Sequence, residues 1–224
     1  RMDSFRIEKE GRSFEFGVYA KIYDFGAISI CFNHTRDAPP MPAILDTAIL
    51  FYGQEGLEKE FQKYLTIFGD MLRPHLAEMT IEHDFFEDYT VYVTDRIVPE
   101  IDPVMLMTGE RRAISPQTSS EITRNTLSYR NDDLVVLSWD SALVCDPENP
   151  ADIIDLIEFA NVQVLELRYY DRQLTRQMEK MYDDIDLAET KPGFLRSSHY
   201  HAIMSDLMKT SGEISEVIEK VNNM

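Results

Sequence analysis

The chain has 224 residues, 44% of them hydrophobic, which is too apolar for a disordered chain and enough for one good core or two small ones. Its 40 acids outweigh its 22 bases, and a net charge of −18 disfavours nucleic-acid backbones and anionic lipid headgroups as partners. The best basic patch is only Arg111-Arg112.

In chain order, residues 14–33 are rich in aromatic and β-branched side chains. Val18–Tyr23 and Ala27–Phe32 read as strands joined at Asp24-Phe25-Gly26. That triplet matches the kinase magnesium motif by accident, because no glycine-rich loop precedes it and no HRD-type loop follows. Asp37–Pro42 is a break, residues 43–52 a short helix, and residues 55–77 a longer one with Leu57, Phe61, Leu65, Phe68 and Leu72 on one face. Residues 88–98 alternate as a strand. Residues 99–117, with three prolines and a glycine, read as loop. Thr118 and Glu121 form a capping-box pattern for a helix over 119–129. Residues 133–146 read as a strand pair turning at Asp140-Ser141.

The C-terminal part is the most regular. Asn149 is a good N-cap, Pro150 suits the first helical position, and Asp152 suits the positive helix end. Ile157, Ala160, Val164, Leu167, Asp171, Leu174, Met178, Met181 and Ile185 then alternate spacings of three and four, as a heptad seam does. Lys191-Pro192-Gly193 interrupts the seam. Ile203, Leu207, Thr210, Ile214, Val217, Val221 and Met224 resume it. The expected fold is therefore α+β: a mostly antiparallel sheet with flanking helices over residues 1–148, then a helical hairpin or stalk over 149–224. The helical pattern runs to Met224 without a stop signal, so the chain is expected to continue there.

No motif fixes a chemistry. There is no Walker loop, GxGxxG or GxSxG, so no cofactor and no catalytic residue is assigned. Cys31 and Cys145 sit in apolar runs without a CxxC partner, and they read as buried hydrophobes in a reducing cytosol. His199-Tyr200-His201 opens a helix, where i and i+2 diverge, so a shared metal ion is not expected. His75 and His83, beside Glu82, Asp84, Glu87 and Asp88, read as a solvated acidic loop. Trp139, Asp140 and Asp146 gather at strand ends, either as a ligand mouth or as turn and cap chemistry. Asp171 stands on the apolar seam, where it either fixes register across an interface or lies at the seam's edge.

Three stretches together carry a resemblance. Tyr23–Ile30 is similar to a strand of the "required for meiotic nuclear division", sporulation-associated family. Leu127-Ser128-Tyr129, Asp132–Val136 and Trp139-Asp140 fall where that family has a short helix and strand. Glu158–Asn161 with Leu165–Asp171 resembles its following helix. The resemblance implies a cytosolic domain on a helical coil with a C-terminal anchor in the inner membrane, and in mitochondrial members a link to translation. It implies no enzymatic activity. The expected function is thus a membrane-anchored scaffold that forms homo-oligomers through Leu167, Asp171, Leu174, Met178, Leu207 and Ile214. The alternatives are a ligand-binding domain or enzyme with a pocket near Trp139, Asp140 and Asp146, or a translation-associated module.

Overall fold

The computed structural model describes residues 3–37, 40–76, 79–189, 200–201, 203–205, 207–209, 211–212 and 215. It divides into two compact units, Arg1–Gln163 and Val164–Met224.

The first unit begins with an antiparallel meander of β1 (Asp3–Lys9), β2 (Arg12–Ile22) and β3 (Ile28–Asn33). The β1–β2 turn is Glu10-Gly11, both at positive φ (51° and 71°), the two-residue hairpin geometry that follows the twist of the strands. Alternation along β2 buries Phe14, Phe16 and Val18 on one face. Two helices cover that face, α1 (Met41–Leu50) and α2 (Glu58–Leu72). Leu50, Leu57 and Phe61 pack against Phe14, Phe16 and Phe32, and the Phe32 and Phe61 rings stack at 4.0 Å. Buried Tyr64 of α2 keeps its hydroxyl satisfied by donating to Asp3 at 3.0 Å.

The second sheet holds β4 (Thr90–Thr94), β5 (Asn125–Leu127), β6 (Leu134–Leu137) and β7 (Ser141–Cys145) in the order β4-β7-β6-β5. Only β4–β7 is parallel. Every residue of β7 is buried, as expected of a central strand covered on both faces. Val136, Leu143 and Cys145 meet Ala48 of α1 and Leu106 and Met107 of α3 (Pro103–Thr108). Ala142 and Val144 meet Ile153 and Ile157 of the long α5 (Pro150–Glu189). α1 joins two clusters, with Ala48 in one and Leu50 in the other, which explains its nearly continuous apolar sequence. The start of α5 is also held to the first sheet: Lys21 Nζ donates to Asp155 at 2.8 Å and to Glu158 at 2.6 Å, and Ser29 Oγ donates to Glu158 at 2.6 Å.

The α+β class stands, in the form of one antiparallel and one mixed sheet with helices. Several local expectations shift. Residues 99–117 contain α3, capped by Asp102, whose carboxylate accepts from the Val104 amide at 2.9 Å. The helix expected over 119–129 is α4 (Pro116–Ile122), and its cap is Ser115 rather than Thr118, because Pro116 already occupies the first helical position. The β6–β7 hairpin turns one residue early, on Trp139-Asp140, which leaves Ser141 as the first and buried residue of β7. Cys145 is buried as expected, but Cys31 is exposed.

Candidate functional site

A cleft of about 180 Å³ opens on the first unit beside the β6–β7 turn. Tyr52 and Gln54 reach it from the 3-10 turn after α1, Asp88 from the segment before β4, Thr90 and Tyr92 from β4 itself, and Trp139, Asp140 and Ser141 from the hairpin. The turn that carries the cleft is rigid. Ser138 N donates to Ser141 O at 2.8 Å, and Thr90 N donates to Asp140 O at 3.1 Å. The Tyr89 hydroxyl donates into the same turn, 2.8 Å from Ser141 O and 3.0 Å from Ser138 O. Ser141 Oγ donates to Asp140 Oδ1 at 2.9 Å, which orients that carboxylate without neutralising it. Trp139 is 88% exposed.

Trp139 and Asp140 therefore meet in one cleft, and Asp146 does not join them. The five residues of β7 separate it from Asp140. Asp146 Oδ1 instead accepts from the Glu148 and Asn149 amides at 2.8 and 3.2 Å, which shapes the entry to α5. Tyr52, Asp88 and Tyr92 escape a reading along the chain because only the packing of α1 and β4 against β7 brings them to Trp139.

Asp140 also acts at a distance. The phenols of Tyr89 and Tyr92 are each pushed up to about 12, by burial first and by the Asp140 charge second. Burial, then Asp140 and Glu110, raise Tyr52 as well. An unfolded tyrosine ionises near ~10. Between those values the unfolded chain releases protons that the folded chain keeps, so stability falls as pH rises from about 10 to about 12. Alkaline titration followed by phenolate absorbance is expected to show late phenols that ionise only as circular dichroism is lost. Tyr89→Phe and Tyr92→Phe should each remove part of that late phase; an unchanged phase in both variants contradicts the assignment.

In the second unit, α5 carries apolar side chains that water still reaches. Val164, Leu167, Met178 and Tyr182 are 45%, 48%, 48% and 59% exposed. Leu174 is half-buried and Asp171 is exposed. The described residues from 200 to 215 are helical; Leu207 among them is half-buried, and Met204 and Met208 are exposed. Ile214, His199, Thr210, Val217, Val221, Met224 and the Lys191-Pro192-Gly193 interruption lie outside the described residues. In the first unit Ala160 of the expected seam is exposed, and the inward positions of α5 are Ile153, Ile157 and Val162.

Arg111 of the basic pair is matched by Asp46, which also lies 3.7 Å from Arg12. His83 Nδ1 lies 3.1 Å from Gln62 Oε1. Among the described residues no group of three or more His, Cys, Asp or Glu is placed to hold a metal ion.

A family model described as "Uncharacterized protein MJ0711, N-terminal domain" matches residues 1–152. The uncharacterized protein MJ0711 of Methanocaldococcus jannaschii is 26% identical over 104 residues, covering 42% of this chain and 32% of that protein. The aligned segment thus spans about a third of the relative's length. No solved structure matches. The matching family is not the meiotic-division family of the resemblance; the broader statement, an uncharacterised family, is the one supported.

Proposed function

For a chain that belongs to the family described as "Uncharacterized protein MJ0711, N-terminal domain", we propose the role of an assembly module that pairs with further copies of itself through the helices of its second unit. The reading rests on one observation: Val164, Leu167 and Met178 are open to water at heptad-compatible positions of a 40-residue helix. Leu167, Leu174 and Met178 recur at the spacings that let one helix insert into another. Covering them stabilises a complex by roughly 25 cal/mol per Å² of apolar area removed from water. Asp171 falls on the same seam, and a polar residue there restricts register and copy number. Leu207 and Ile214 contribute from the following segment.

The same reading has the sheet unit carried on its stalk at the cytosolic face of a membrane. No described helix is itself long and apolar enough to cross one, so the anchoring segment lies outside the described residues in this proposal.

Sedimentation velocity tests the pairing. The natural sequence is expected to sediment as an oligomer, and Leu167→Asp to weaken association about a hundredfold or more, because a carboxylate placed in the seam is desolvated without a partner. A wild-type monomer at high concentration removes the basis of the proposal.

A further inference from the structure

We propose that the cleft between Tyr52, Tyr92, Trp139 and Asp140 binds a small organic ammonium ion. Charge is the first reason. Asp88 and Asp140 both line the cleft, and no lysine or arginine does. Some other carboxylates of this unit are matched: Asp46 by Arg12 and Arg111, Glu158 by Lys21, and Glu148 by Arg130. Asp88 and Asp140 enter no ion pair among the described residues. Two uncompensated carboxylates in one concave surface repel anions, and a neutral ligand leaves their mutual repulsion unrelieved.

The rings are the second reason. A cation is attracted to the face of an aromatic ring, most strongly to an indole. Elsewhere the protein uses its own cations this way: Lys9 over Phe51, Arg12 over Phe14 and Lys63 over Tyr64. Among the described residues none covers Tyr52, Tyr92 or Trp139, the three rings that line the cleft. An indole left 88% exposed beside two open carboxylates is a surface prepared for an external cation.

Size and rigidity narrow the ligand. The cleft has about 180 Å³ of accessible volume. That suits an amine of a few heavy atoms and is too small for a nucleotide or a drug-sized molecule, which needs roughly 300 Å³ or more. The turn is held by backbone bonds and by Tyr89 before any ligand arrives, so little ordering is required on binding.

Trp139 is the single tryptophan of the chain, so intrinsic fluorescence reports directly on the cleft. The test is a titration with choline chloride at constant ionic strength, run beside 3,3-dimethylbutanol, its uncharged isostere. Choline is expected to change the emission saturably, and the isostere is not. Asp140→Asn keeps an oxygen to accept from Ser141 Oγ and so preserves the turn; it is expected to weaken choline about tenfold, as is Asp88→Asn. Equal binding of choline and the isostere overturns the proposal. So does the absence of any saturable response to choline at tens of millimolar. Wild-type choline affinity in both variants, with unchanged circular dichroism, overturns it as well.

Discussion

Leu143→Ala is expected to lower the stability of the protein by about 3 to 4 kcal/mol, read as a fall in the urea midpoint followed by circular dichroism. Leu143 is 1% exposed at the centre of β7, in a cluster with Ala48, Leu106, Met107 and Val136. The loss has two parts: the transfer free energy of the deleted methyl and methylene groups, and the cavity they leave. Collapse into that cavity is restricted here. β7 is hydrogen-bonded to a strand on each side and covered by helices on both faces, so it cannot move toward α3 without opening its contacts with α5. A loss of this size is a large share of the ~5–15 kcal/mol that holds a typical domain folded. Leu127→Ala, on the exposed edge strand β5, is the control and should cost well under ~1 kcal/mol. Similar midpoints for the two variants would show that β7 is not the centre of the core.

The second large effect is expected at Gly109. This residue ends α3 in the left-handed region, at φ +63°. An alanine there carries a conformational cost of about 1 kcal/mol relative to glycine. A steric cost adds to it. A Cβ at Gly109 would lie 2.9 Å from Cγ and Cδ2 of Tyr52 and 3.1 Å from its Cβ. Those atoms are the root of the tyrosine side chain, so no rotation about its outer bonds relieves the overlap. The backbone of the 52–54 turn has to shift instead, at a further ~1–3 kcal/mol. Gly109→Ala should therefore cost about 2 to 4 kcal/mol in denaturant unfolding, and it should also disturb the cleft, because Tyr52 lines it. A double-mutant cycle separates the parts. In a Tyr52→Ala background the overlap with Cγ and Cδ2 disappears, leaving the conformational part and the 3.1 Å contact with the Cβ of residue 52. Equal costs of Gly109→Ala in both backgrounds would refute the clash.

β3 and the second half of β2 are legible in the sequence as Ala27–Phe32 and Val18–Tyr23, with Gly26 at the positive φ of their turn, whereas the first half of β2, from Arg12, lies outside the expected strand. β1 is hidden by its charges. Phe5 and Ile7 face the core, but Arg6, Glu8 and Lys9 dominate a seven-residue segment. α3 is hidden by punctuation that belongs to it: Asp102, Pro103 and Gly109 look like loop residues and are its cap, first residue and terminator. The long helix teaches a different lesson. Of the expected seam, Ile157 does pack on the second sheet, beside Ile153, but Ala160 is exposed, and the inward Val162 stands off that spacing. A helix with apolar residues on more than one face does not announce which face meets the core. The cleft is legible in half. Trp139 and Asp140 stand out as turn residues, whereas Tyr52 and Tyr92 reach them only through tertiary packing.

The order of strands in the second sheet has a consequence for synthesis on the ribosome. All three strands of the first sheet have been made once Asn33 is added, and each pairs with its neighbour in sequence. The second sheet is organised the other way round. Its central strand is the last to be made, and β4 pairs with it across the whole stretch from Thr90 to Ser141. Until Cys145 has left the exit tunnel, β4 and the β5–β6 hairpin have no common partner, and their apolar faces stay open to other chains. The loop that must then close is long, so its entropic cost falls on the final step. The nascent chain thus carries a finished first sheet and a waiting second one for about fifty residues of elongation.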